Sequence, residues 1–219
     1  MSDDYSIKNL KKLMRFLMPF GMLSSVSFAT MVVLGELLWP NYNPVRDVIS
    51  DLTASGAPNA TLMRILSNVS YVSLIVFAAG MFVLSFAKYE KVLQVGYSLL
   101  YIMALTTIVG FDTFPLSMND MLASQNVLHL IITTVIICTT AISLVIIACG
   151  YLKHDNLLRL GWVLLVLSIL FIVFNAAFYV SEFLQADIKG LIERLGIYTF
   201  YLYIFVLSCV YAFSRYARS

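Results

Sequence analysis

Six long apolar runs alternate with short polar stretches along the chain, at about 16–38, 62–87, 92–111, 127–152, 160–183 and 191–213. An α-helix needs roughly 20 apolar residues to cross a hydrocarbon layer of about 30 Å. Inside lipid the backbone finds no water, so each run must satisfy its own hydrogen bonds as a helix. The connections 88–91, 153–159 and 184–190 are short, which makes consecutive helices antiparallel neighbours. The pattern predicts an all-α, polytopic six-transmembrane-helix bundle, one integral membrane domain over 1–219 without internal repeats. Ahead of the first run, Leu10, Leu13, Met14 and Leu17 interleave with Lys8, Lys11, Lys12 and Arg15. That spacing predicts an interfacial helix leading into a retained first span.

The polar stretch 41–59 interrupts this pattern with charges, prolines and a glycine. Asn43 suits an N-cap and Pro44 a first helical position. Val45, Val48, Ile49 and Leu52 then share one face, which predicts a short amphipathic helix over 44–52 in the first long loop. Arg46 and Ser50 fall one turn apart on it, as do Asp47 and Asp51.

Composition agrees with a lipid solvent. Hydrophobic residues make up 61% and charged residues 12%, against about a quarter charged in soluble domains; mean hydropathy is +0.90. The net charge of +2 says nothing about nucleic acid, but no basic patch with interleaved aromatics appears outside the membrane ends, so nucleic acid is not an expected partner. Cys138, Cys149 and Cys209 all lie within apolar runs and read as small buried hydrophobes. The 13 tyrosines and two tryptophans read mostly as interfacial-belt residues. Ten basic residues fall on the side of the termini and four on the other, Arg46, Arg64, Lys189 and Arg194. The positive-inside rule then predicts a cell-membrane protein with both termini cytoplasmic and the long loop outside. Asn59 and Asn68 each open a glycosylation sequon, the first in that outer loop.

Chemistry-bearing residues gather at the predicted outer ends of the spans. Glu36 ends the first, Asp112 the third, Asn126 and His129 begin the fourth, and Glu193 and Arg194 begin the sixth, with Asn175 deeper in the fifth. In a six-helix bundle they can converge on one outward pocket under the loop helix. Four chemistries fit these residue types. One is an ion-pair network that fixes the loop. A second is a nucleophilic site, with Ser50 attacking, His129 taking its proton, Asp51 or Asp112 orienting the ring and Glu193 assisting. A third is a divalent-metal site of Asp51, Asp112, His129 and Glu193, without any HExxH spacing. The fourth is an anionic head-group site built on Arg46 and Arg194, with Asn175 as a further contact. Any of the catalytic or metal readings requires Asp51, Asp112 and His129 within about 8 Å of one another. The residues name no cofactor.

Three blocks carry a family resemblance: 42–52 followed by Gly56-Ala57-Pro58, then 110–115 with His129, then 190–194. On them the chain resembles the prokaryotic integral membrane proteins of the family known as domain of unknown function 998. Where that pattern carries an acid after the Phe-Pro pair, this chain has Leu116-Ser117, with Asp112 and Asp120 nearby. The Ile49-Ser50-Asp51 core is loosely similar to an Ile-Ser-Asp element of DRAM-like membrane proteins, which implies lipid handling. The leading expectation is an outward pocket for a lipid head group or lipid-linked substrate, including a membrane-embedded hydrolase or transferase. The alternative is a non-catalytic lipid-organising, sensing or scaffold protein. A small-solute transporter ranks third, since the span interiors offer few ionisable groups.

Overall fold

The computed structural model describes residues 12–118 and 124–213. Six helices are long and apolar enough to cross a membrane. They are α1 (Pro19–Leu38), α3 (Ala60–Lys88), α4 (Lys91–Thr113), α5 (Ser124–Tyr151), α6 (Leu158–Phe183) and α7 (Lys189–Phe213), with the short α2 (Ile49–Thr53) between the first two. The all-α polytopic bundle expected from hydropathy is the fold observed. Helix extends N-terminally from α1 to Lys12 as part of the same candidate span. Most of the interfacial helix expected at the N-terminus, residues 1–11, lies outside the described residues, as does Asp120.

The spanning helices form a closed ring. Each packs on its neighbour in sequence, and α7 returns to pack on α1. Close contact is set by small residues, as is usual where lipid removes the hydrophobic drive between helices. The core is made by inward stripes such as Phe28, Met31 and Val32 of α1 and Tyr203, Ile204 and Leu207 of α7. The other faces, such as Val163, Val166, Ile169 and Val173 of α6, are exposed and apolar, which suits acyl chains.

Two sequence expectations change here. Tyr97, Tyr151 and Tyr203 are fully buried and not belt residues. At the end of the ring nearest the chain termini, Tyr97 and Tyr151 join hydroxyls at 2.6 Å, Tyr151 joins Tyr211, and Tyr211 joins Tyr89 at 2.7 Å. Tyr203 donates to the Leu144 carbonyl at 3.0 Å. Phenols enter an apolar core when their hydroxyls find partners, and these find one another. Conversely, Cys138 and Cys149 are exposed on the outer surface of the ring and Cys209 is half-exposed. They are hydrophobes that face lipid, not the core.

Candidate functional site: the loop end of the ring

The polar residues expected to form one pocket form two clusters, joined by a short backbone bridge. The first is centred on Arg194 in the opening turns of α7, where it is buried. Its Nε donates to Glu36 Oε1 on α1 at 2.9 Å. Its Nη1 donates to the carbonyls of Asp47 at 2.8 Å and Gly190 at 2.9 Å. Its Nη2 donates to the Tyr42 hydroxyl at 2.6 Å, and the guanidinium lies over the Tyr42 ring, 5.4 Å from the centroid. Tyr42 passes its own proton to the carbonyls of Asp47 and Val48, at 3.1 and 2.8 Å. Arginine has five N–H donors in a rigid fork, and four are used by the protein itself. Arg194 thus clasps the loop, with one N–H left for any external anion.

Gly190 allows the clasp to close. A methyl group there would collide with the Asp47 carbonyl, and the same close approach lets the Leu191 amide donate to the Val45 carbonyl at 3.0 Å.

The loop helix is shorter than its hydrophobic spacing predicts. Asn43 does cap, its Oδ1 accepting the Val45 amide at 3.0 Å. But the amides of Arg46 and Asp47 both bond the Asn43 carbonyl, which makes a turn. Val48 is extended (φ −82°, ψ 154°), and only Ile49–Thr53 is helical. The carbonyls of Asp47 and Val48, which a helix over 44–52 would need, are taken by Tyr42 and Arg194. Val48 supplies no side-chain cap to α2. Glu193 of α7 does so instead, its Oε2 accepting the Ile49 amide with the Ser50 amide alongside. A carboxylate here satisfies orphan donors and meets the positive end of the helix. Asp51, in the first turn, faces the Val48 amide, and burial raises its carboxyl above the usual range. Leu52 is buried against Gly35 of α1.

Arg46 lies outside this cluster. It is exposed and paired with Asp47, Nε to Oδ1 at 2.8 Å, and that guanidinium holds the Asp47 carboxyl below its usual value.

The second cluster joins α4 to α5. The His129 Nδ1 lies 2.8 Å from the Phe114 carbonyl, and its ring stacks on Phe111 with centroids 5.2 Å apart. A carbonyl only accepts, so the Nδ1 carries the proton. Asn126 brackets Ser117, its Oδ1 accepting the amide and its Nδ2 donating to the carbonyl, both at 2.9 Å. Gln125 Nε2 donates to the Pro115 carbonyl. Asp112 is exposed, with the Asn68 amide 3.4 Å away.

Ser55 connects the clusters. Its amide donates to Leu116 O at 2.7 Å and its carbonyl accepts from the Met118 amide at 3.0 Å. Arg64 of α3 holds this bridge, Nε to Thr53 O at 2.8 Å and Nη2 to Ser55 Oγ at 2.9 Å.

Among the described residues no hydrogen bond joins Ser50 to His129. Ser50 sits on α2, where its carbonyl accepts from Thr53 Oγ1 and its amide faces Glu193, while the His129 Nδ1 is committed to Phe114. Asn175 bonds back to Phe171 O of its own helix and packs on Gly196. Among the described residues no group of three or more His, Cys, Asp or Glu side chains is placed to hold a metal. Tyr42, Arg64 and Gly190 carry much of the architecture without having been singled out for chemistry. For Tyr42 and Gly190 the available signal was their place in the blocks that carry the family resemblance.

Two grooves open on the outer surface of the ring. One, of about 230 Å³, runs between α1 and α7 over Phe28 and Tyr201. The other, of about 430 Å³, runs between α4 and α5 from Leu105 to Phe114.

A family model described as protein of unknown function (DUF998) matches residues 22–210. Comparison with curated proteins and with solved structures gives no match.

Proposed function

The chain belongs to the DUF998 family, and from that premise we propose that this multi-pass membrane protein is a non-enzymatic module that holds a membrane lipid against its flank. The observation that carries this reading is the position of the two grooves, which are lined by apolar, lipid-exposed residues such as Val26, Leu202, Val109 and Leu105. Such a groove suits an acyl chain better than a water-soluble substrate. The clasp supports the same reading, because a guanidinium filled by protein acceptors fixes a platform and leaves little donor capacity for an incoming anion. In this reading the protein lies in the cell membrane with its termini in the cytoplasm and the clasped loop outside, as the basic-residue count implies.

Native mass spectrometry of the protein extracted in mild detergent tests it. Intact phospholipid should remain bound, and stripping it should lower the unfolding temperature, with recovery on adding it back. Absence of retained lipid would overturn the reading. Time-dependent cleavage of the added lipid that disappears in Ser50→Ala would replace it with the hydrolase.

A further inference from the structure

Asp112 stands in the last turn of α4, where no basic residue accompanies it. The negative end of a helix disfavours a carboxylate and favours a cation. Asp112 forms none of the ion pairs found among the described residues, which are Arg46–Asp47, Lys189–Glu182 and Arg194–Glu36. Among the described residues its one hydrogen-bond neighbour is the neutral Asn68 amide. An exposed carboxylate at this point lacks the positive partner that the local electrostatics call for.

The groove between α4 and α5 begins at the same level. Its walls include Leu105, Thr106, Val109, Thr113, Phe114 and Ile132. Asp112 lies seven residues from Leu105, two turns along the same side of α4. From Thr113 down to Leu105 the groove descends about 12 Å at 1.5 Å per residue. It therefore runs along the helix axis, with Thr113 in its wall at the upper end and Asp112 beside that end, two turns above Leu105 and next to Asn68 of α3.

Resting on the lipid-holding reading above, we propose that this groove is the seat of an amine-bearing phospholipid of the phosphatidylethanolamine type. One acyl chain lies along Leu105, Val109 and Ile132, and the primary ammonium pairs with the Asp112 carboxylate. Charge complementarity selects the head group: an anionic lipid would be repelled, and a primary amine supplies N–H donors that a quaternary choline lacks.

The test uses delipidated, detergent-solubilised full-length protein. It is equilibrated with equimolar phosphatidylethanolamine, phosphatidylcholine and phosphatidylglycerol of identical acyl chains, and bound lipid is counted by native mass spectrometry. Phosphatidylethanolamine should be retained about fivefold over phosphatidylglycerol, the upper range for one exposed charge contact. Asp112→Asn should abolish that preference while lipid still binds, and Asp112→Glu should keep it. Thr106→Phe, which fills the groove, should reduce the phosphatidylethanolamine signal, whereas Ala29→Phe in the α1–α7 groove should not. Binding without head-group preference, or a preference that survives Asp112→Asn, would overturn this inference and leave the lipid-holding role standing. No bound lipid of any kind would overturn both.

Discussion

Arg194 and Glu36 stand 158 positions apart in the chain and 2.9 Å apart in the structure. That pair closes the ring of helices where the last span returns to the first, and it is sheltered, with side-chain exposures of 7% and 27%. Removing one partner of a sheltered pair leaves the other unpaired, which costs about 3 kcal/mol. Arg194→Lys also loses the fork that reaches Tyr42 and the Asp47 carbonyl together. Detergent-solubilised Arg194→Lys should unfold well below the wild type, and Glu36→Gln should do so by less, since its amide oxygen still accepts from Nε. Circular dichroism melting checks both.

Gly190 and Gly196 give a matched comparison on one helix. An added methyl at Gly190 meets the Asp47 backbone, whereas at Gly196 it meets the side-chain amide of Asn175. Backbone cannot yield as a side chain can, and overpacking costs about 1–3 kcal/mol. Gly190→Ala should release the loop 39–59, read as faster proteolysis within it. Gly196→Ala should leave the loop as resistant as in the wild type.

Two aspartates four residues apart respond oppositely to pH. The Arg46 guanidinium lowers the Asp47 carboxyl, so its stabilisation is present above the ordinary value of about 3.9 and is lost as pH falls through its folded value. Burial raises the Asp51 carboxyl, so the stability it contributes as the neutral acid is present below about 3.9 and lost as pH rises through its folded value. Asp51→Asn should therefore raise the unfolding midpoint at pH 7, and that gain should shrink as the pH approaches 4. Asp47→Asn should lower the midpoint slightly at pH 7, because the pair is exposed, and converge with the wild type in acid. Melting curves from about pH 2 to pH 8, spanning the ordinary carboxylate value on both sides, separate the two.

Ser50 and His129 should show the difference between surface chemistry and loop anchoring. Ser50→Ala, on a turn held by backbone bonds, should change stability by no more than about 0.5 kcal/mol. His129→Phe keeps a ring against Phe111 but loses the bond to Phe114, a loss of about 1 kcal/mol. Its readout is hydrogen exchange in residues 114–118, which should quicken in His129→Phe and stay unchanged in Ser50→Ala.

The six spans were legible because the bilayer imposes a length and an apolar composition that no connecting loop satisfies, and their bounds differ from expectation by only a few residues. The loop helix was only half legible. Hydrophobic spacing correctly marked Ile49 and Leu52 as inward, yet nothing local in 44–48 reveals that Tyr42 and Arg194 would capture two of its carbonyls. Glu193 was singled out for chemistry, and its proximity to Ser50 is real, but it serves as a cap to a helix far away in sequence. The buried tyrosines escaped for a related reason: a phenol at a span end looks the same whether its hydroxyl meets water or another phenol.

The order in which the ring closes has a consequence for synthesis. The most extensive helix packing in the ring joins neighbours in the chain, apart from that of α7 with α1, and α7 also reaches across to α5 through Tyr203 and Tyr211. The first five spans can thus be laid down one after another as each leaves the ribosome. The loop 39–59 is made early, but Glu193 and Arg194, which cap and clasp it, arrive only with the last span. Until then its carbonyls and the α2 amides depend on water. A nascent chain stalled before residue 189 should carry an open first loop, so the final helix acts as the latch on a segment translated some 140 residues earlier.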